Sequence, residues 1–449
     1  MVGKLKELAG SRRPFQRGGT WGRLEYLIVI GGVFTMLAIL RLAQKYDEVW
    51  TIWQGEGTEG IFNEDDVPFA RIGHTVNITR LESAVELGAV CLDGSPPAYY
   101  LDRGSGEGVD NWLIHFEGGG WCPTAEDCLN RAFTQLGSSR YMADEIIMGG
   151  ILSADPGVNP DFYNWNRVRF KYCDGGSFFG DVEEAVTVKQ SLKNHYSERS
   201  APVYYRGMRI WKAVMDDLLS KGMANAKKGF LTGCSAGGLA SFLHCDQFKE
   251  LMPRGAKVKC LSDAGFFLHI PDISGAPTIE SFYKDVVKLQ NIAPNLPKEC
   301  TSLRNPAHCF FPTYLLLLIK TPFFVLNPGY DNWQFFHVLV PDTADPAGEW
   351  KDCKKDLSRC TENQTTIVQG FRTELLRQLE SLVKNPKDGA FINSCYAHCQ
   401  LELDLSFSGK NGPKIQGKSV RRAIGEWYKD TKAQILVDCP FPCNPTCSP

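Results

Sequence analysis

The sequence predicts an α/β protein: a mainly parallel sheet with helices on both faces, stapled by disulfides. Three observations carry that expectation. Short apolar runs stop at glycine-marked turns, and stretches with helical spacing alternate with them. Sixteen cysteines, an even number, are dense usage for a large enzyme and point to an oxidising compartment. A glycine-flanked serine, Ser235, stands where one apolar run ends and a helical stretch begins.

The chain opens on a basic leader. Residues 1–23 carry Lys4, Lys6, Arg12, Arg13, Arg17 and Arg23 against Glu7 alone. Residues 24–43 form the hydrophobic segment, with an uncharged run from Leu27 to Leu40 that Arg41 closes. That run suits a signal peptide, and the wider segment is a marginal membrane span. Arg41, Lys45, Asp47 and Glu48 follow directly, without a clean small-x-small cleavage site. A cleaved leader and an uncleaved signal anchor are both open, and an anchor would place the C-terminus in the lumen. Residues 44–70 read as an acidic, aperiodic stem, and residues 71–449 as the catalytic body.

Within the body, Trp112–Phe116, Val168–Tyr172, Gly229–Thr232 and Phe323–Asn327 read as strands, each ending at a turn rich in glycine. Arg209–Leu219, Leu239–His244 and Thr373–Val383 read as helices. In parallel sheets, sites collect beyond the carboxyl ends of strands. Four cysteine pairs are close in sequence: Cys122 and Cys128, Cys300 and Cys309, Cys353 and Cys360, Cys395 and Cys399. Zinc ligation by Cys439, Cys443 and Cys447 is the competing use, but no clear fourth ligand stands with them. The sequons at Asn77 and Asn363 make those two residues the expected glycosylation sites of a lumenal chain.

Gly233-Cys234-Ser235-Ala236-Gly237 is a weak signal alone, because 43 glycines in 449 residues yield about 0.3 chance matches. The flanking strand and helix strengthen it, since a nucleophile elbow is a strand–turn–helix. Gly118-Gly119-Gly120-Trp121 would supply a separate glycine turn, so that the amides of Gly120, Trp121 and Ala236 hold an oxyanion. Taken alone, such a turn needs no ligand. For the base, four histidines lie well beyond the serine: His269, His308, His337 and His398. His398 is flanked by Cys395 and Cys399, which would clamp its loop, although His308 also adjoins a cysteine. For the acid, Asp331 is favoured over Asp263 because acids in this chain order precede the histidine at the next strand ends. Cys234 is the alternative nucleophile, but an elbow presents only its central side chain.

Other chemistries lack support. His115-Phe116-Glu117 lacks the second histidine of a zinc hydrolase motif, and no dinucleotide or phosphate-loop fingerprint occurs. No metal site and no cofactor are expected. A net charge of −2 offers no global field for nucleic acid.

Four segments together resemble the plant pectin acetylesterases, relatives of the animal carboxylesterase Notum: His115–Cys122, Gly233–Gly238, Asn327–Gln334 and Ser394–Gln400. They occur in family order across roughly residues 74–435. The resemblance implies an α/β-hydrolase-like fold with Ser235, Asp331 and His398 as the triad, and Gly120, Trp121 and Ala236 around the oxyanion. It also implies deacetylation of acetylated pectin in the plant cell wall by a secreted enzyme, with a monomer favoured. The alternative location is a Golgi type II membrane protein with a lumenal catalytic domain. The alternative functions are a Notum-like lipid deacylase and a catalytically inactive glycan-binding relative. The basic leader is longer than a usual signal peptide of that family.

Overall fold

The computed structural model describes residues 74–191, 198–380, 385–409, 411–431 and 435–447, all within the compact unit Glu64–Pro449. The leader, the hydrophobic segment and the stem lie outside the described residues.

Among the described residues fourteen strands occur in chain order: β1 Val76–Arg80, β2 Ala98–Asp102, β3 Asn111–Phe116, β4 Glu145–Ile146, β5 Asn166–Phe170, β6 Val186–Ser191, β7 Glu198–Val203, β8 Lys228–Cys234, β9 Lys257–Asp263, β10 Phe323–Asp331, β11 Gly389–Ala397, β12 Lys414–Ile415, β13 Lys418–Ser419 and β14 Ile435–Val437. Ten of them build one sheet in the order β14-β11-β10-β9-β8-β3-β5-β2-β1-β4. From β14 to β5 every pairing is parallel, and β2, β1 and β4 extend that end antiparallel.

The central strands are buried on both faces, so they read as near-continuous apolar runs. All nine residues of β10 are buried. Successive residues still part by face: Phe323 and Val325 join one core, and Phe324 and Leu326 the other. The first core takes the helices Gly207–Ser220 and Ala236–Leu251. The second takes the helix Val420–Tyr428 together with Phe162 and Trp165.

Each of the four expected strands is met by one, with β5 displaced so that it begins at Asn166 and ends at Phe170 rather than Tyr172, and with β8 and β10 running further than the apolar runs do. The helix expected at Thr373–Val383 instead spans Glu362–Gln378, so it begins eleven residues earlier. Thr361 and Gln364 form a reciprocal capping box there, which fixes the start independently of apolar spacing. Among the described residues no helix is long and apolar enough to cross a membrane.

All sixteen cysteines are bridged. Three of the four sequence-adjacent pairs bond to each other: Cys122–Cys128, Cys300–Cys309 and Cys353–Cys360. Cys395 and Cys399 do not, since Cys395 bonds Cys447 and Cys399 bonds Cys234. With Cys439–Cys443 also closed, the three C-terminal cysteines offer no thiolates to zinc. Asn77 and Asn363 are both exposed, Asn363 in the first turn of its helix.

Candidate active site

Ser235 follows the last residue of β8 and precedes the helix Ala236–Leu251. Its backbone sits at φ 59° and ψ −125°, a conformation that costs energy and persists only where neighbours over-determine it. Two glycines make the turn possible. A Cβ on Gly233 would come within 2.1 Å of the Gly237 carbonyl oxygen, and one on Gly237 within 2.4 Å of the Phe116 carbonyl oxygen. The Ser235 amide donates to the Asp263 carbonyl at 2.9 Å, which ties the elbow to the neighbouring strand.

Asp331 and His398 stand at the ends of two neighbouring strands further along the parallel run, β10 and β11. Asp331 ends β10 and is paired across the ladder with Ala397, the residue before His398. His398 Nδ1 lies 3.0 Å from each carboxylate oxygen of the fully buried Asp331. One of those oxygens also accepts from the Gln334 amide, which fixes the carboxylate. Burial alone would lower the His398 pKa. The Asp331 carboxylate, with Asp263 and Glu402 further off, outweighs it and holds the imidazole above its ordinary value. Nε2, the other ring nitrogen, is buried and has no hydrogen-bond partner among the described residues. The chain neighbours Cys234 and Cys399 are disulfide-bonded at a Cα separation of 5.7 Å, so the serine and histidine loops are joined covalently. The same bridge leaves Cys234 no thiol for nucleophilic attack.

Asp263 does different work. Its Oδ2 accepts from the amides of Gln400 and Leu401 at 2.6 and 2.7 Å, which anchors the stretch just after His398. Burial pushes its carboxyl up to about 8, against those two amides. His337 packs at a tilt against Trp333, ring centroids 4.6 Å apart, and burial lowers its pKa. His269 and His308 both hydrogen-bond Glu280 and take no part in the Ser235 arrangement.

The glycine turn packs directly on the elbow: a Cβ on Gly118 would lie 2.9 Å from Ser235 Cβ. Its peptide planes are held from behind. Arg131 donates to the Gly119 carbonyl at 2.6 Å and to the Trp121 carbonyl at 3.4 Å, and the Tyr172 hydroxyl donates to the Gly120 carbonyl at 2.7 Å. In a trans peptide the N–H points opposite to the C=O. Fixing the carbonyls of Gly119 and Gly120 therefore turns the amides of Gly120 and Trp121 to the opposite side. Neither amide has an acceptor among the described residues. Ala236 opens the helix after the serine, so its amide is one of the free helix N-terminal donors. Its carbonyl is held by Ser177 Oγ at 2.8 Å, and Ser177 Oγ also accepts from the Trp121 indole at 2.8 Å.

Arg131, Tyr172 and Ser177 are not singled out by any sequence pattern. The nearest signal is the glycine pair after Asp174, which marks the turn that carries Ser177. The Cys122–Cys128 bridge and the Thr124 N-cap place the helix that ends at Arg131 against the glycine turn.

Trp121 is caged by rings: Phe267 at 4.9 Å, Tyr283 at 5.1 Å, Trp333 at 5.8 Å, Phe282 at 6.4 Å and Phe310 at 6.5 Å. Trp333 in turn stacks on His398 at 6.2 Å. Tyr330 stands apart, with its hydroxyl bonded to Gln369 and to the Phe441 amide.

Residues 70–448 match the family described as Pectinacetylesterase. The chain belongs to the pectinacetylesterase family. It is 48% identical to pectin acetylesterase 7 of Arabidopsis thaliana over 373 residues, which cover 83% of this chain and 92% of that protein. Pectin acetylesterase 4 of the same plant is 42% identical over 428 residues, covering 95% of this chain and 98% of its own. More distant is the palmitoleoyl-protein carboxylesterase NOTUM of Homo sapiens, 28% identical over 398 residues, 82% of this chain and 73% of that one. Among solved structures, the Wnt deacylase Notum from Drosophila superposes with a TM-score of 0.68 at 24% identity, covering 84% of this chain and all of that one. Family membership makes this chain a carbohydrate esterase.

Proposed function

We propose that this esterase hydrolyses acetyl esters of pectin through a Ser235–His398–Asp331 triad and an acyl-enzyme. The observation that carries the triad is the buried Asp331–His398 pair, whose partnerless Nε2 is on a loop bridged to the serine elbow. His398 Nε2 takes the hydroxyl proton as Ser235 Oγ attacks the acetyl carbonyl. Asp331 accepts from Nδ1–H, holding the required tautomer and stabilising the imidazolium. The amides of Gly120, Trp121 and Ala236 receive the oxyanion, each such donor contributing about 3–4 kcal/mol. The imidazolium then protonates the departing sugar oxygen as its bond to the acetyl carbon breaks, so the sugar leaves with a free hydroxyl. Water, deprotonated by the same imidazole, attacks the acetyl-enzyme and releases acetate, restoring Ser235. No step requires a metal or a cofactor.

The ring cage around Trp121 favours a short acyl group over the long chain of a lipid deacylase. Phe267, Tyr283 and Phe310 are fully buried, so the space beside the oxyanion turn is packed with side chains. Comparing aryl acetate with aryl octanoate is the test. kcat/KM for the acetate is expected to exceed that for the octanoate by at least about 100-fold, the scale on which a filled pocket discriminates by size. Equal rates would point to the lipid-type reading instead. Acetate release from acetylated pectin against acetylated xylan then identifies the polymer.

The turn behind the oxyanion site yields a second expectation. Arg131→Ala frees the Gly119 and Trp121 carbonyls, so the Gly120 amide, which shares its peptide with the Gly119 carbonyl, loses its orientation. kcat for an aryl acetate is expected to fall about 100-fold with KM nearly unchanged, because misaimed donors weaken transition-state binding above all. Arg131→Lys, which keeps one donor, should retain part of the rate. A raised KM at unchanged kcat would instead make Arg131 a substrate-binding residue.

Eight disulfides support maturation in the secretory pathway, and we place the enzyme in the cell wall, with residues 71–449 as its catalytic domain. Sequencing the N-terminus of the mature protein decides between this and a Golgi anchor: retention of residues 1–43 would establish the anchor. Glycans on Asn77 and Asn363 would be removed by an amidase, each with a measurable mass loss.

A further inference from the structure

We propose that His269, Glu280 and His308 form a binding site for one borderline divalent cation of the Zn2+ class, set apart from the serine machinery. The three side chains come from three segments: the loop after β9, the first turn of the helix Thr278–Leu289, and the short turn His308–Phe310. His269 Nε2 and His308 Nε2 face the two oxygens of one carboxylate, at 3.1 Å from Oε2 and 2.9 Å from Oε1. The ligand atoms all lie within 4.8 Å of one another. Two imidazoles and one carboxylate, with water completing the shell, are the donor set of an open four-coordinate zinc site. The imidazoles argue against Ca2+ and Mg2+, which take oxygen.

Three further features suit a cation. Among the described residues Glu280 pairs with these two imidazoles and with no Lys or Arg. The side chains of His269, Glu280 and His308 are 18%, 38% and 28% exposed, which leaves an entry path. His269 Nδ1 is 2.9 Å from the Tyr314 hydroxyl. With Nε2 on the metal, the imidazole proton shifts to Nδ1 and donates to that oxygen, the outer-sphere contact that metal-bound histidines usually make.

The location gives the site a task. Phe267 is two residues before His269, Tyr283 three after Glu280, and Phe310 two after His308. Those three rings are among the ones that pack on Trp121. A cation held by the three ligands would therefore pin the three segments that build the cage beside the oxyanion turn. Hydrogen bonds between the two imidazoles and Glu280 hold the same segments more loosely.

Cobalt(II) is the probe, titrated into the folded full chain after chelator treatment and followed by its visible d–d absorption. One equivalent is expected to bind with the intense band of a four-coordinate ion, and Zn2+ should displace it. His308→Ala and His269→Ala should each abolish the band, and Tyr314→Phe should weaken affinity about 10- to 100-fold. Zn2+ should raise the Tm of the parent chain and leave that of His308→Asn unchanged. Near-UV circular dichroism checks that each variant is folded. Absence of a bound equivalent in the parent chain overturns the proposal, as does undiminished binding in the His269→Ala/His308→Ala double variant. None of these readouts uses esterase activity, so the result stands whether or not the triad reading holds.

Discussion

Replacing Ser235 by alanine is expected to lower kcat for an aryl acetate by about 10⁶-fold, the scale on which serine hydrolases lose a nucleophile. The change removes one oxygen at a residue only 6% exposed, beside glycines that already fit the turn. Fold and Tm should stay close to those of the parent, so lost activity reports chemistry rather than unfolding. His398→Ala should cost about as much, and the double variant little more, because nucleophile and base act as one unit. A residual rate of about 10³–10⁴ over water would remain from the oxyanion donors. Activity within tenfold of the parent would move the nucleophile elsewhere. Cys234 would not be a candidate, because its sulfur is bonded to Cys399.

Much of this site was legible because its parts are local. A strand, a glycine-flanked serine and a helix are contiguous, and the glycines are needed where the backbone is strained at Ser235. The glycine turn that packs on the elbow was legible for the same reason. The parallel sheet followed from apolar runs that end at turns, because strands buried on both faces carry few polar residues. The choice of acid was harder. Asp263 and Asp331 end adjacent strands, so position alone favours neither strongly. Only the ladder settles their surroundings: Asp331 is opposite Ala397, while Asp263 reaches past His398 to two amides. Arg131, Tyr172 and Ser177 were illegible because their roles exist only across chain separations that no local pattern records. The cysteine pairing divides the same way. Three short loops were readable by proximity, but Cys234–Cys399 spans 165 residues and Cys395–Cys447 spans 52. The start of the helix at Glu362 was missed because its first turns are polar, and its signal is a capping box rather than an apolar stripe.

Asp331→Asn carries the second large expectation, and it separates the two aspartates. The amide keeps the shape of the carboxylate but loses its charge. Its NH₂ group, turned toward Nδ1, would favour the tautomer that protonates Nε2 and leaves Ser235 without a base. kcat should fall about 10⁴-fold, with KM within a fewfold of the parent. The pH profile adds a readout that simple disruption would not move. His398 must be neutral to accept the serine proton, so activity is lost as pH falls through its pKa. Asp331 favours the imidazolium and raises that pKa above the ordinary histidine value. Removing its charge leaves burial, which lowers the pKa, as the larger influence. The acid limb of kcat/KM in the residual activity should therefore move to lower pH. Asp263→Asn is the contrast. It retains an oxygen to accept from the Gln400 and Leu401 amides and leaves the Asp331–His398 pair in place. The Asp331 charge, the larger support of the raised His398 pKa, stays in place, so the acid limb of this variant should move less and kcat should fall by no more than about tenfold. If the two variants exchanged these behaviours, the acid would be Asp263, and the bond between Asp331 and His398 would be reduced to holding the loop.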